Sequence, residues 1–185
     1  MAGFNLKGER IELVLLEREH LNKRVEFLND PEVQKTLNFD YPTSIAKTEA
    51  WFSKNILNSN RVDFAFVLSA TLDIIGFGGF ININYRAKKA ELYIFIGEKA
   101  CWGQGFGRDG YKLLVNYAFG ELGLDRIYLY QLAENSRAIK ATESLGWFTE
   151  GLLRNDIWSH GELKDQYLLS FLRSEWVNSD FYKTV

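Results

Sequence analysis

The chain has 185 residues, 46% of them hydrophobic and 15% aromatic, which is enough apolar material for one domain with a buried core. Its 22 basic and 24 acidic side chains give a formal net charge of -2. The sequence contains no long run of like charges, so we do not expect it to bind nucleic acid through a charged arm. The single cysteine, Cys101, excludes an internal disulfide framework, and residues 1–20 lack the apolar core of a signal peptide. We therefore expect a cytoplasmic protein, and no apolar run is long enough for a membrane span.

The first half of the chain has the periodicity of a strand, two helices and three strands. These segments cover, in order, residues 10–16, 17–28, 45–56, 63–69, 74–84 and 90–97. Asp30-Pro31 ends the first helix, because a proline cannot continue it. The three later strands are separated by short polar turns, which predicts that they are antiparallel neighbours.

The second half continues with a helix after the glycines, a strand, a helix that begins at Asn135, and two more strands. The three strands cover residues 126–132, 147–153 and 166–172. An irregular segment around His160 is expected between the last two. The pattern predicts a single α/β (α+β) domain over residues 1–185, with a mostly antiparallel mixed sheet of about seven strands and about four helices.

The most informative segment lies between a predicted strand and a predicted helix, and has glycine at every second position. It reads Trp102-Gly103-Gln104-Gly105-Phe106-Gly107-Arg108. Main-chain N–H groups that glycine leaves uncovered, at the positive end of a helix, can hold a diphosphate. The segment indicates a phosphate-bearing cofactor, although glycine also serves in turns that need only a positive φ.

Two common nucleotide-binding motifs do not fit this segment. A dinucleotide site needs its glycines after the first strand of a parallel unit and an acidic residue about 20 positions later, where this chain has Tyr128-Leu129-Tyr130. A phosphate-transfer loop would end in Gly-Lys-Ser/Thr, whereas this one ends Gly107-Arg108-Asp109.

The segment resembles instead the pyrophosphate loop of the GNAT superfamily of N-acetyltransferases, in which Gly105-Phe106-Gly107 matches the second half of the motif. Trp102 replaces the usual Gln or Arg, a version familiar in the branch resembling ribosomal-protein N-terminal and diamine acetyltransferases. Glu91 on the preceding strand, and the stretch from Asn135 to Trp147, are similar to that branch as well.

The resemblance implies acetyl-CoA as cosubstrate, direct acetyl transfer, and a sheet splayed between its fourth and fifth strands. The residues that it assigns to the cofactor are Ile94, Phe95 and Ile96 through their backbone, the loop residues Trp102, Gly103, Gln104, Gly105, Phe106, Gly107 and Arg108, and Asn135. Asn135 has an equally natural role as a helix N-cap. No metal is expected, because His20 and His160 lack a ligand pattern with Cys101.

For the chemistry, Glu91 is the expected general base, with a solvent-facing or cation-attracting carboxylate as the alternative. Many relatives place a tyrosine near the leaving sulfur, seven residues after the asparagine. This chain has Thr142 there. Thr142 is therefore the candidate proton donor, acting with water or with help from Ser136 or Tyr111. The alternative is that the thiolate leaves without a proton from the protein.

The acceptor is expected to be a primary amine of a small molecule, such as a polyamine, an amino sugar or an antibiotic. A protein N-terminus is the alternative within the same chemistry, and a noncatalytic acyl-CoA-binding sensor is the alternative from another class. The aromatic residues Trp51, Phe52, Trp158 and His160 are expected in the acceptor cleft, or as core. A homodimer is left open.

Overall fold

The computed structural model describes residues 5–37 and 42–182. They form one eight-stranded sheet with the order β1-β2-β3-β4-β5-β6-β8-β7. The strands are β1 (Asn5–Lys7), β2 (Ile11–Leu15), β3 (Val62–Leu68), β4 (Ile74–Asn84), β5 (Lys89–Ile96), β6 (Arg126–Leu132), β7 (Phe148–Ser159) and β8 (Glu162–Leu172). The helices of this part of the chain are α1 (Leu21–Asn29), α2 (Pro31–Gln34), α3 (Ile45–Asn55), α4 (Phe106–Asn116), α5 (Ser136–Glu143) and α6 (Arg173–Trp176).

The mixed α/β class is confirmed, while both expected element counts were too low. The additional strand is β1, which pairs antiparallel with β2. The additional helices, α2 and α6, are single turns built on local hydrogen bonds. The Asp30 side chain accepts from the backbone of Glu32 and Val33 at the start of α2, and Glu175 accepts from the backbone of Leu172 at the start of α6.

The irregular segment expected before residue 166 is in fact a hairpin. Strands β7 and β8 pair from Phe148 with Ser170 to Ser159 with Glu162. His160 and Gly161 form the connection with φ of 51° and 85°, the positive values that two-residue hairpin turns require. The pairing could not be predicted because the outer half of the hairpin is largely solvent-exposed and lacks the apolar alternation of a half-buried strand.

The expected splay is present between β5 and β6, which are the fourth and fifth strands once β1 is left out. All pairs in the sheet are antiparallel except this one, which joins three residues of each strand: Lys89, Ala90 and Glu91 to Arg126, Ile127 and Tyr128. Beyond Glu91, strand β5 remains paired with β4 as far as Ile96. Its other edge is therefore open along the last five positions of the strand.

The core lies on both faces of the sheet. Leu92 belongs to the cluster under α4, which includes Tyr111 and Leu114. Phe95 belongs to the opposite cluster, under α1 to α3, which includes Phe27. The splayed half of β5 is thus supported by packing on both faces. No helix in the described ranges is long and apolar enough to cross a bilayer.

Candidate active site

The glycine loop faces open space. Gly103 and Gly105 adopt φ of 75° and 85°, so turn geometry alone accounts for glycine at these two positions. Gly107 is not among the residues with positive φ. A Cβ at Gly107 would meet only the Ile96 side chain, at 3.8 Å, and one at Gly103 would meet nothing within 4 Å. Glycine at 107 therefore leaves the backbone uncovered without any conformational need for it.

Arg10, in the turn before β2, holds this loop in place. Its Nε donates to the Asp109 carboxylate at 2.7 Å, and its Nη1 donates to the Gln104 carbonyl at 2.9 Å. The guanidinium also lies 4.7 Å from the centroid of the Phe106 ring. Gly105 forms the N-cap of α4 between these contacts. The loop shape therefore depends on a residue about 95 positions earlier in the chain.

A cavity of about 420 Å³, here called the loop cavity, opens between this loop, β5 and α5. Every residue that the sequence assigned to the cofactor lines it, with the exception of Gln104. The Gln104 side chain donates to the Ala100 carbonyl instead. Three cations also line the cavity, Arg108, Arg137 and Lys140, and the Arg137 guanidinium lies 4.0 Å from the centroid of the Trp102 ring. Uncovered backbone and positive charge together suit a phosphate-bearing ligand.

A second cavity of about 210 Å³, here called the inner cavity, lies at the splay. Glu91, Arg61, Tyr93 and Gln131 contribute its polar wall. It shares six lining residues with the loop cavity: Thr36, Leu37, Ile94, Tyr111, Asn135 and Ala138. The two cavities are therefore adjoining compartments separated only by these shared walls.

Glu91 stands at the point where β5 and β6 separate, because its pair with Tyr128 is the last of the parallel ladder. The Asn82 side-chain amide donates to its carboxylate at 2.9 Å. Asn82 lies within an irregularity of the β4–β5 pairing and has φ of 53°, and such bulges often aim a side chain at a site. Burial raises the pKa of Glu91, and the Asn82 amide opposes that rise.

Asn135 has the first of the two roles that the sequence left open, that of a helix cap, while its contact with the cofactor stays a prediction. Its side chain accepts from the Ala138 backbone at 3.1 Å and so caps α5. It also lines both cavities, next to Thr36. A capping oxygen is occupied by the helix, so any ligand at this position would meet the side-chain NH₂ group or the backbone.

Thr142 lies outside both cavities, contrary to the expectation that it is the proton donor. It is fully buried. Its hydroxyl is within hydrogen-bond distance of the Ala138 and Ile139 carbonyls, at 3.1 and 3.0 Å, and of the Gln131 side chain at 3.5 Å. This is the usual position of a threonine hydroxyl inside a helix. We do not retain Thr142 as a catalytic residue.

The four aromatic residues expected in the acceptor cleft do not line either cavity. Phe52 is buried in the core under α3, and Trp158 is 69% exposed on β7. His160 places its Nε2 3.2 Å from the Gln34 carbonyl. Trp51 packs behind the wall of the inner cavity, because the Arg61 guanidinium, which lines that cavity, lies 4.8 Å from its ring centroid. Aromatic character alone could not separate core from cleft.

The sequence analysis missed a polar cluster behind the inner cavity. Arg61 donates to both carboxylate oxygens of Asp63, at 2.7 and 2.8 Å. The Tyr93 hydroxyl donates to the same carboxylate. Asp63 and Tyr93 both pair with Gly79 of β4, from opposite sides. A Cβ at Gly79 would come within 2.1 Å of a neighbouring carbonyl, so glycine there also leaves room for tyrosine to reach across.

Cys101 also lines the loop cavity, although its thiol is not activated. Burial raises the pKa of Cys101, which disfavours the thiolate that a nucleophile requires. Within residues 5–37 and 42–182, no three His, Cys, Asp or Glu side chains are grouped as metal ligands. The ionisable group best placed for chemistry is therefore Glu91.

Comparison with known proteins agrees with this geometry. Residues 10–147 match the family model described as an acetyltransferase (GNAT) domain. The chain belongs to the GNAT acetyltransferase family. The matched range covers β2 to α5, and so includes the glycine loop, the splay and Glu91.

Several members of the family are similar over nearly the whole chain. The chain is 30% identical over 174 residues to the N-acetyltransferase p20 of Bacillus licheniformis, with 92% of this chain and 97% of p20 covered. It is 29% identical to the spermidine N(1)-acetyltransferase of Vibrio cholerae, with 92% and 98% covered. A crystal structure of the Vibrio cholerae spermidine N-acetyltransferase with CoA and spermine superposes with a TM-score of 0.86, at 27% identity and 92% and 100% coverage. The GNAT branch expected from the loop is thereby confirmed.

Proposed function

We propose that this chain is an acetyl-CoA-dependent N-acetyltransferase that acts on the primary amine of a small molecule. The observation that carries the proposal is the junction of the two cavities. The loop cavity has the uncovered backbone and cations that a phosphate-bearing ligand needs, and the adjoining inner cavity holds a half-buried carboxylate, Glu91. A thioester held in one compartment would face an amine held in the other.

The residues present fit coenzyme A. Its diphosphate suits the backbone at Gly103 and Gly107, where added side chains would project into open space. Its phosphates also suit Arg108, Arg137 and Lys140 at the cavity wall. The free edge of β5 from Leu92 to Ile96 offers backbone groups to the pantetheine arm. Acetyl-CoA, when bound, supplies the activated acetyl group.

Glu91 is proposed as the base that receives the proton of the ammonium group. An alkylamine has a pKa of about 10, so a neutral nucleophile must be generated at neutral pH. The raised pKa of Glu91 makes its carboxylate a better proton acceptor than an exposed one. The negative charge also attracts the protonated acceptor into the inner cavity.

Tyr111 of α4 is proposed as the group that protonates the leaving sulfur, in place of Thr142. It lines both cavities and is buried. A tyrosine phenol carries its proton at neutral pH, and burial raises the pKa of Tyr111 further, which makes it a weaker acid. Its place on the wall of both cavities is therefore what supports the assignment. Tyr111 was one of the alternatives considered from the sequence.

The small size of the inner cavity favours a small amine over a protein N-terminus, since about 210 Å³ holds few residues of an extended peptide. The placement of Glu91 beside the loop cavity favours catalysis over a noncatalytic acyl-CoA sensor. The decisive assay measures free thiol released from acetyl-CoA over a panel of amines and N-terminal peptides. If the protein binds acetyl-CoA tightly but no amine in the panel causes release of free coenzyme A thiol, the protein is a sensor instead.

Self-association, which includes the homodimer left open by the sequence, is part of the proposal because a relative forms a larger assembly. The spermidine N-acetyltransferase of Vibrio cholerae has been solved in a form described as dodecameric. Light scattering coupled to size exclusion would give the mass of the assembly directly, and a mass of about 21.4 kDa would show a monomer.

A further inference from the structure

The described lining of the inner cavity carries fewer negative charges than a polyamine site requires. Among the described residues that line it, Glu91 is the only carboxylate and Arg61 the only cation. Polyamine recognition needs several carboxylates. Each ammonium group that is removed from water loses its hydration, and a negatively charged partner must compensate that loss. One carboxylate matches one ammonium group, which is the group to be acetylated.

Arg61 marks the exit of this cavity. Together with Ile81 it also lines a second opening, here called the amide cleft, whose polar residues are Asn58, Asn60, Asn82, Asn84 and Tyr85. The cleft and the inner cavity meet at these two shared residues. Within the described residues that line it, no side chain is acidic. An acceptor longer than the inner cavity therefore passes a guanidinium and enters a region of neutral hydrogen-bonding groups.

Arg61 is held rigidly in this position. The side chains of Arg61 and Asp63 are only 15% and 12% exposed, and their two hydrogen bonds use Nε and Nη2 of the guanidinium. The guanidinium also lies over the rings of Trp51 and Tyr93, at 4.8 and 5.6 Å from their centroids. Planar, bidentate and stacked contacts of this kind fix an arginine far better than a lysine.

Resting on the proposed function, we propose that the acceptor is an amine with a single positive charge and a hydroxyl- or carbonyl-bearing body, and that Arg61 discriminates against di- and polyamines. A second ammonium group in the same molecule would meet the Arg61–Asp63 pair, in which the Asp63 charge is already balanced by the guanidinium, or the neutral amides, and neither compensates its charge. A hydroxyl or carbonyl group would accept from the guanidinium or from an asparagine NH₂ group. Arg61 is thus assigned as a specificity residue rather than a catalytic one.

The first test compares three acceptors of equal chain length: putrescine, aminobutanol and aminobutanamide. They differ only in whether the distal group is an ammonium, a hydroxyl or an amide. We expect the wild-type kcat/KM for aminobutanol and aminobutanamide to exceed that for putrescine by about tenfold, the usual order for one uncompensated charge. A wild-type preference for putrescine, or for spermidine added as a fourth acceptor, would overturn the inference while leaving the proposed function intact. Absence of thiol release with every amine would remove both.

The second test uses two substitutions at one position. Arg61→Lys keeps the positive charge and Arg61→Gln removes it, while both lose the bidentate contact with Asp63. We expect Arg61→Gln to shift the kcat/KM ratio about tenfold toward putrescine, because the Asp63 charge then lacks its partner, whereas Arg61→Lys keeps the wild-type order. An equal shift in both variants would show a purely structural role and overturn the assignment.

If Arg61→Gln does not fold, as judged by thermal unfolding, Asp63→Asn provides the reciprocal test. It leaves the guanidinium in place without its counter-charge. The ratio should then move further toward aminobutanol than in the wild type. A move toward putrescine would contradict the role of Arg61.

Discussion

Asn82 and Glu91, on adjacent strands, are joined by a 2.9 Å hydrogen bond from the side-chain amide to the carboxylate. Burial and this bond act on the pKa of Glu91 in opposite directions, and burial has the larger effect. The bond stabilises the ionised form, so Asn82 limits how far the pKa rises. The bulged position of Asn82 therefore has a measurable consequence for the pH range in which the proposed base is ionised.

Substitution of Asn82 by alanine is expected to raise the pKa of Glu91 further. Since the carboxylate must be ionised to accept a proton, activity appears as the pH rises through that pKa, and the acidic limb of the kcat/KM profile should move to higher pH. Asn178→Ala, at an exposed position in the turn after α6, is the control that should leave the limb in place. An unmoved or lowered limb in Asn82→Ala would contradict the assignment of the base.

Glu91→Gln keeps the shape of the side chain and removes the proton acceptor. Turnover should fall by about 10²-fold at neutral pH, the lower end of the usual range for general acid–base catalysis. The deficit should shrink at high pH, where more of the amine is already deprotonated. A deficit that stays constant across the pH range would assign Glu91 to binding or structure.

Gly107→Val is the sharpest test of the loop cavity. The position does not need positive φ, so valine adds bulk in open space without the backbone strain that it would bring at Gly105. Acetyl-CoA affinity measured by calorimetry should fall by about tenfold or more, equivalent to about 1.4 kcal/mol. Gly151→Val on β7, where an added Cβ also meets nothing within 4 Å, is the matched control. Equal affinities in the two variants would remove the proposed diphosphate site.

Thr142→Val tests the hydroxyl that the structure places outside both cavities. Turnover should remain within about twofold of the wild type, while the free energy of unfolding falls by about 1 kcal/mol, the usual net value of a buried hydrogen bond. Denaturant unfolding and steady-state kinetics measure the two effects separately. Lost turnover with intact acetyl-CoA binding would restore Thr142 as a proton donor.

Tyr111→Phe removes the proposed donor and retains the ring that packs 5.8 Å from Trp147. Turnover should decrease by about 10²-fold, with acetyl-CoA affinity and thermal stability close to those of the wild type. Full activity would mean that the sulfur is protonated by water or leaves as the thiolate.

The sequence predicted the elements that carry local signals. The glycine loop, the α4 periodicity and the Asn135 cap each lie within one short stretch, so residue type and spacing were sufficient. The resemblance then located the splay correctly, and Glu91 lies beside it, while the role of Glu91 as the base stays a prediction. The single-turn helices at Asp30 and Glu175 were missed because they depend on individual hydrogen bonds rather than on periodicity.

The inner cavity could not be predicted in the same way. Arg61, Asp63 and Tyr93 meet because β3 and β5 pair with the two edges of β4 at Gly79, and register of this kind leaves no trace in one sequence. The prediction that Thr142 donates a proton was wrong, because its position in a family pattern does not determine where its hydroxyl points. The prediction of aromatic residues in the acceptor cleft was wrong because the same residue types occur in protein cores and in binding clefts.

Because Arg10 holds the glycine loop in place, the proposed ligand site is complete only in the folded domain. The periodicity of helix α4 lies in its own sequence, but the shape of the preceding loop depends on the guanidinium of Arg10, which lies next to β2, the strand that pairs with β3. A partly folded chain, or a fragment that begins after β2, would therefore possess the loop sequence without an organised anion site. Under the proposed function acetyl-CoA binds only the assembled state, so its binding free energy would stabilise the entire sheet. Saturation with acetyl-CoA should thus protect remote strands against unfolding as effectively as it protects the loop itself.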